Sequence, residues 1–284
     1  MRNILVLGSS GMTGHIVTDY LKTNNKREVI GVSRTNSPYT DREMDVSDFG
    51  ELSSYLGEIN PDIVINCVGI LIKQSEEDIS TAIQINSLLP HILADLGEKM
   101  DFKLIHLSTD CVFSGKEGNY PADAFRDGDT PYARTKALGE LDNDRDLTIR
   151  TSIIGPELKK DGTGLLDWFL KQEGKISGYT NVYWSGVTTL ELAKAIHTLI
   201  EKNITGLYQL SSPNKISKYD LLKLCAQIWH KDIVIDPDDK YFSDKSLVPS
   251  LEKFNYCVSE YPEMLKQCYD WMKAHKEYYP HYMG

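Results

Sequence analysis

The chain opens with an apolar run, Ile4–Leu7, that passes directly into Gly8-Ser9-Ser10-Gly11-Met12-Thr13-Gly14 and a helical pattern over 12–21. Few folds accommodate such a beginning. A buried strand, a turn with glycines at every third residue and an immediate helix together specify a crossover that returns the chain to the same end of a sheet. Gly8 permits a tight turn, Gly11 lets a ligand approach the backbone, and Gly14 lets helix and strand pack closely. A helix that starts here aims its first N–H groups and the positive end of its dipole at an anion. The spacing G-x-x-G-x-x-G is one residue longer than the G-x-G-x-x-G dinucleotide fingerprint, and the same physics applies. A ligand-free glycine turn shares the composition, but the strand before and the helix after favour a pyrophosphate held by Gly8, Ser10, Gly11, Met12 and Thr13.

The alternation continues. Strand patterns at 28–33, 62–67, 103–107 and 147–153 are separated by helical patterns at 49–56, 79–100 and 131–141. Strands alternating with helices predict an α/β fold, a doubly wound parallel sheet of the Rossmann kind. Pro90 is expected to kink or divide the long 79–100 helix, since proline removes a backbone donor. Past Gly155 the rhythm loosens, with helices expected at 165–171, 189–202, 218–229 and 264–278 and short strands near 207–210 and 233–235. The expected organisation is a dinucleotide-binding domain over 1–155 and a smaller C-terminal lobe over 156–284, with some elements returning to the sheet.

Composition narrows the partners. With 31 Lys+Arg against 41 Asp+Glu the net charge is -10, and no Lys/Arg run appears, so no nucleic-acid partner is expected. An anionic ligand must then be held locally, by backbone amides and a few placed cations. The five cysteines, Cys67, Cys111, Cys225, Cys257 and Cys268, form no C-x-x-C pair, which predicts free thiols in a reducing compartment, the cytoplasm. No stretch approaches the ~18 apolar residues of a membrane helix. No His/Cys/Asp/Glu cluster has metal-ligand spacing, so no metal is predicted.

At the end of the second strand stands Gly31-Val32-Ser33-Arg34, where an NAD site usually places an acid for the ribose 2′-hydroxyl. Ser33 and Arg34 offer a hydroxyl and a guanidinium instead. Arg34 could grip a 2′-phosphate and stack on adenine, which predicts NADP(H) as the preferred cofactor with NAD(H) possible. An ordinary surface arginine is the competing interpretation. Asp45 and Val46 could flank the adenine.

The fourth strand runs into Ser108-Thr109-Asp110-Cys111, and polar groups beyond the carboxyl end of a parallel strand face the ligand crevice. One loop later comes Tyr132-Ala133-Arg134-Thr135-Lys136, whose i and i+4 positions share a helix face. Y-x-x-x-K alone is weak evidence, because it also occurs at Tyr219, Tyr241 and Tyr269. Place in the fold singles out Tyr132. Hydride delivery to a ketone builds negative charge on its oxygen, which a phenol can protonate and a Thr109 hydroxyl can bond. An adjacent Lys136 ammonium is expected to lower the phenol pKa by about three units, ~4 kcal/mol.

At these residues the chain resembles the short-chain dehydrogenase/reductase superfamily, and within it the extended branch containing the dTDP-4-dehydrorhamnose reductases. The motifs that carry the likeness are LGSSGMTG, DIVINCVG, HLSTDCVFSG, TPYARTKALGE and LTIRTSIIGPE, with TTLELAKAI and GLYQLSS extending it more weakly. The resemblance implies Thr109, Tyr132 and Lys136 as the catalytic set, with Lys136 also on the nicotinamide ribose. It implies that Cys67, Val68 and Gly69 line the cofactor. It further implies a nucleotide-sugar substrate recognised through Thr109, Asp110, Tyr132, Ile154, Trp184 and Lys245, in a monomer or homodimer. The implied activity is NAD(P)H-dependent reduction of a nucleotide-linked 4-keto-6-deoxy sugar for surface polysaccharide. Alternatives are reduction of an N-acetylated UDP-keto sugar and a non-catalytic NADP-binding regulatory subunit. The chain departs from the family in having Met12-Thr13 where these reductases usually carry Gln-Leu. Dehydratases of the superfamily follow the threonine with Asp-Glu, whereas here Asp110 is followed by Cys111.

Overall fold

A computed structural model of the chain describes residues 3–282. The elements run β1 (Ile4–Leu7), α1 (Gly14–Asn24), β2 (Val29–Ser33), β3 (Arg42–Glu43), α2 (Phe49–Ile59), β4 (Ile63–Asn66), α3 (Ile72–Glu77) and α4 (Ile79–Ala82). A π-helical turn over Ile83–Leu88 leads to α5 (Leu89–Met100), β5 (Lys103–Thr109), a 3₁₀ turn over Asp110–Val112, α6 (Pro131–Leu138) and β6 (Leu147–Thr151). There follow β7 (Ile153–Ile154), α7 (Leu165–Leu170), β8 (Lys175–Tyr179), β9 (Val182–Trp184), β10 (Val187–Thr188), α8 (Thr189–Glu201) and β11 (Gly206–Gln209). The last elements are β12 (Ile216–Ser217), α9 (Lys218–Ile228), β13 (Val234–Asp238), β14 (Ser243–Asp244), α10 (Tyr261–Ala274) and 3₁₀ turns over Lys276–Tyr278 and Pro280–Tyr282.

The central sheet has seven strands in the order β11-β6-β5-β4-β1-β2-β3. The pairs β1–β2, β1–β4, β2–β3 and β4–β5 are all parallel, which is the α/β architecture the alternating pattern predicts. Strands β1 and β4 are buried along their whole length, as strands covered on both faces must be, so β1 reads as a continuous Val/Ile/Leu run and β4 as one that ends in the buried Asn66. Leu5, Leu7, Val64 and Leu104 form one apolar cluster with Leu52 and Leu56 of α2 and Leu89 and Leu93 of α5. Capping fixes α2: the Asp48 carboxylate accepts from the Gly50 and Glu51 amides at 3.0 and 2.9 Å, and Asn60 closes the helix at φ 47°.

Two compact units emerge, interleaved along the chain. The first holds the chain up to Phe113, then Phe125–Arg150 and Ala193–Tyr208; the second holds Ser114–Ala124, Thr151–Leu192 and Gln209 onward. In the second, β8 pairs in parallel with β13, β9 lies between β12 and β14, and β7 pairs with β10. Several of these strands are two or three residues long with mixed burial, which explains why no period-2 signal marks β9, β10, β12 or β14 in the sequence.

The pattern at 79–100 folds differently from a helix broken at Pro90. Pro90 sits in the first turn of α5, where a missing N–H costs nothing, and the irregularity lies upstream as the π turn. Proline cannot donate to the Asn86 carbonyl four residues back. That carbonyl oxygen instead faces Gly139, where an added Cβ would overlap it and crowd the Pro90 ring. The site helix α6 can therefore press against the π turn because residue 139 has no side chain. Gly139→Ala should cost about 1–3 kcal/mol, as overpacking does, and lower the urea midpoint. An unchanged midpoint would show that the close approach is not needed.

Candidate active site

The glycine loop forms at the end of β1 as its sequence requires. Gly8 has φ +83°, and its amide and that of Ser9 donate to the Val32 carbonyl at 2.7 and 3.0 Å, joining the loop to β2. A Cβ on Gly14 would overlap the Gly8 carbonyl, so helix α1 starts at van der Waals contact with the turn. No side chain caps α1 and no acid occupies its first turn, which leaves its dipole for an external anion. The Ser9 hydroxyl is buried without a protein partner. This is a cradle that fits the pyrophosphate of a dinucleotide.

Strand β5 and helix α6 bring together the three residues singled out by spacing. Thr130 caps α6, its hydroxyl accepting from the Ala133 amide at 3.1 Å, and Pro131 takes the first helical position. That start fixes Tyr132 in the first turn and Lys136 one turn on. The Thr109 hydroxyl donates to Asp110 Oδ1 and accepts from the Cys111 amide, both at 3.1 Å, and lies within hydrogen-bonding reach of the Tyr132 phenol. Lys136 is buried and its Nζ donates to the Leu107 carbonyl at 2.6 Å.

The electrostatics correct one expectation. Burial pushes the Tyr132 phenol above its ordinary value; charge on the neighbouring Cys111 and Asp110 adds to the rise, and the Thr109 hydrogen bond opposes it. Burial also lowers Lys136 to about 8, against which Glu140 and Cys67 act to raise it. Desolvation penalises the charged form of both groups. The ammonium therefore does not depress the phenol here: it is spent on the Leu107 carbonyl.

Around this trio lies a buried polar lattice that spacing arguments missed. Glu140 takes a forked pair of bonds from Arg150, Nε at 2.8 Å and a terminal nitrogen at 2.7 Å. It also accepts from Ser108 at 2.6 Å and Arg126 at 3.0 Å. Ser108 thus turns toward Glu140 rather than toward a ligand crevice. Asn86 is fully buried, accepting from the Ile70 amide at 2.8 Å and donating to the Ile70 carbonyl at 3.0 Å and to Thr135 at 3.2 Å. His106 is buried beside Asn66 at 3.2 Å, its pKa held well below the usual range by burial first and by Lys136 and His91 next. A helix-end Glu paired with a strand Arg has no fixed sequence distance, so only the fold reveals it.

The remaining candidates fall as follows. The Ser33 hydroxyl is engaged internally, donating to the Thr35 carbonyl at 2.6 Å. Arg34 is exposed, with an Asp45 carboxylate 4.0 Å away, and Val46 is buried. Cys67, Val68 and Gly69 follow β4, with Val68 against Gly8 and Gly69 exposed. In the second unit, Ile154 is buried in β7, and Trp184 is buried with its indole N–H on Ser152 at 2.8 Å and the Lys218 ammonium 5.0 Å from the ring centroid. Lys245 is half-buried beside Gly115. Among the described residues no group of three or more His, Cys, Asp or Glu could hold a metal ion, and no helix is long and apolar enough to cross a membrane.

The cysteines are free, and burial pushes both Cys67 and Cys225 up to about 12, so their thiols are neutral through pH 7–9, while Cys257 is exposed. Iodoacetamide at pH 8, followed by peptide mass spectrometry, should label Cys257 well before Cys67. Equal rates would mean that Cys67 is a solvated thiolate.

Comparison with known proteins gives the family and the fold. A probable low-salt glycan biosynthesis reductase of Haloferax volcanii is 28% identical over 242 residues, covering 78% of this chain and 79% of that one. A Streptomyces niveus dTDP-4-keto-6-deoxy-D-glucose reductase is 24% identical over 238 residues, covering 80% and 79%. The crystal structure of the Bacillus anthracis dTDP-4-dehydrorhamnose reductase, in complex with NADP, superposes with a TM-score of 0.82 over 95% of this chain and 98% of that one, at 19% identity. The family described as the RmlD substrate-binding domain matches residues 1–243, most of the 284, and the chain belongs to that family.

Proposed function

We propose that this protein is an NADPH-dependent reductase of a nucleotide-linked 4-keto-6-deoxy sugar, serving surface-polysaccharide synthesis. The observation that carries the proposal is the Thr109 hydroxyl within hydrogen-bonding reach of the Tyr132 phenol, with a buried lysine one helical turn on. Two relatives named as reductases of a keto sugar and of glycan biosynthesis agree in chemistry. Asp110 followed by Cys111 lacks the acidic pair of the dehydratases.

In this proposal a bound reduced nicotinamide would supply the hydride for the sugar carbonyl carbon. Gly8, Ser10, Gly11, Met12 and Thr13 would hold its pyrophosphate, Cys67, Val68 and Gly69 would line its path, and Ser33, Arg34, Asp45 and Val46 would surround the adenosine end. Thr109 and Tyr132 both bond the carbonyl oxygen, and Tyr132 gives up its proton as charge develops there. Burial favours the protonated phenol at neutral pH, the state an acid needs. Lys136 would leave the Leu107 carbonyl for the ribose and stabilise the phenolate that follows. Asp110, Ile154, Trp184 and Lys245 are assigned to recognition of the sugar nucleotide.

With dTDP-4-keto-6-deoxy sugars and NADPH, the wild type should turn over, and Tyr132→Phe should lose about 10²–10⁴-fold in kcat. NADPH consumption undiminished in Tyr132→Phe would refute the assigned acid. Tight NADPH binding without turnover across a panel that includes N-acetylated UDP-keto sugars would favour a regulatory subunit.

Arg34 stands in solvent with only a weak, exposed carboxylate contact to exchange for phosphate. Arg34→Ala should cut kcat/KM for NADPH about 10–100-fold, the size of a charge-assisted bond of about 1.5–3 kcal/mol, while NADH is unaffected. Equal losses with both cofactors would remove Arg34 from the 2′-phosphate.

A further inference from the structure

Glu140 lies four residues beyond Lys136, just past the end of α6, and its carboxylate is only 2% exposed. Burying a charge so completely requires partners, and this one has three. Arg150, 1% exposed, binds it in a fork; Ser108 of β5 donates to one oxygen and Arg126 to the other. Each partner is tied to a piece of the site. Ser108 is the residue before Thr109, and the residue before that supplies the carbonyl on which Lys136 rests. Arg126 also donates to the Ala137 carbonyl at 3.1 Å, beside Lys136 on α6. Arg150 lies over the Phe113 ring, 5.0 Å from its centroid, at the end of the segment that follows Thr109.

The charges around Lys136 leave Glu140 in a distinct position. From β5, His106 is held neutral by burial, and from the end of β4, Cys67 is a neutral thiol. Tyr132 on the same helix is protonated, and Asp110 and Cys111 of the 3₁₀ turn act on that phenol. The π turn presents Asn86 and Ser87, which are uncharged, and α3 carries Lys73, Glu76 and Glu77, all exposed to solvent. Glu140 is thus the carboxylate that acts on the buried ammonium.

We propose that Glu140 is a positioning residue of the reductase site: through Ser108 and Arg126 it locks the Thr109 end of β5 to α6, and its charge keeps Lys136 an ammonium. This rests on the assignment of Lys136 to the reaction. Burial without a compensating anion would release the lysine proton at a lower pH, and Lys136 would then have no charge with which to stabilise a phenolate. Activity should fall as pH rises through the lysine pKa, so loss of the carboxylate moves that alkaline limb downward.

The test is a titration of Lys136 by NMR of ¹³Cε-labelled lysine, assigned with Lys136→Arg, alongside pH profiles of kcat/KM. In the wild type the midpoint should lie near 8. In Glu140→Gln it should drop by about one unit or more, the alkaline limb should move with it, and kcat should fall more than KM rises. Because Glu140→Gln strands the buried Arg150 and could unfold the chain, Glu140→Gln/Arg150→Met removes the pair together and should give a smaller shift in the same direction, since loss of the guanidinium charge partly offsets loss of the carboxylate. An unchanged Lys136 midpoint in either folded variant overturns the proposal. Wild-type protein that reduces no keto sugar, with the Lys136 midpoint still lowered in Glu140→Gln, would refute the reductase assignment and leave the control of Lys136 intact.

Discussion

The parallel direction of the central strands is the constraint on which the rest depends. Parallel pairing of β2, β1, β4 and β5 brings their carboxyl ends to one edge, where each strand hands its backbone to a loop. Those strand ends carry Arg34, the glycine turn, Cys67–Gly69 and Thr109–Asp110, in the order of the strands across the sheet. Chemistry gathers there because the strand ends leave backbone groups unused by the ladder, available to a ligand or a turn. The same pairing buries β1 and β4 completely, so the apolar runs that make the sheet are also what fixes the site edge.

A sheet edge alone does not hold a lysine still. Between β5, α6 and β6 the polar atoms close on each other: Lys136 on Leu107, Ser108 and Arg150 on Glu140, Asn86 on Ile70 and Thr135. Buried polar groups of this kind are costly when one partner is removed and add little over a well-packed apolar core when complete. Their value is geometric. They determine where Thr109, Tyr132 and Lys136 stand, and the glycine at 139 admits the π turn close enough for Asn86 to join them.

What could be read in the sequence follows from the range of each signal. Ile4–Leu7, the glycine turn and the Tyr132–Lys136 spacing are local, and their physics is complete within a few residues. The Glu140–Arg150 pair joins a helix end to a strand and leaves no periodic trace. Helix α5 was legible but its start was not, because Pro90 is as much at home in a first turn as at a break. In the second unit, β9 and β14 are held by neighbours rather than by their own pattern, so two or three residues gave nothing to count.

Spacing also shows that two groups meet without giving the sign of what they do to each other. A phenol and an ammonium one turn apart suggest a depressed phenol, yet both are desolvated, and desolvation moves both toward neutrality. The phenol keeps its proton more firmly, and the lysine holds its own less firmly, down to about 8. Below that value the pair is a neutral acid beside a cation, which is the state from which a proton can leave and the resulting charge be met. On the proposed assignment the ammonium would stabilise the phenolate only once the phenolate exists, so its effect would belong to the transition state rather than to the resting site. A cation already committed to the phenol at rest would stabilise the phenolate before the carbonyl oxygen needed the proton. In the proposed reaction, a Lys136 that rests on the Leu107 carbonyl would hold that charge in reserve.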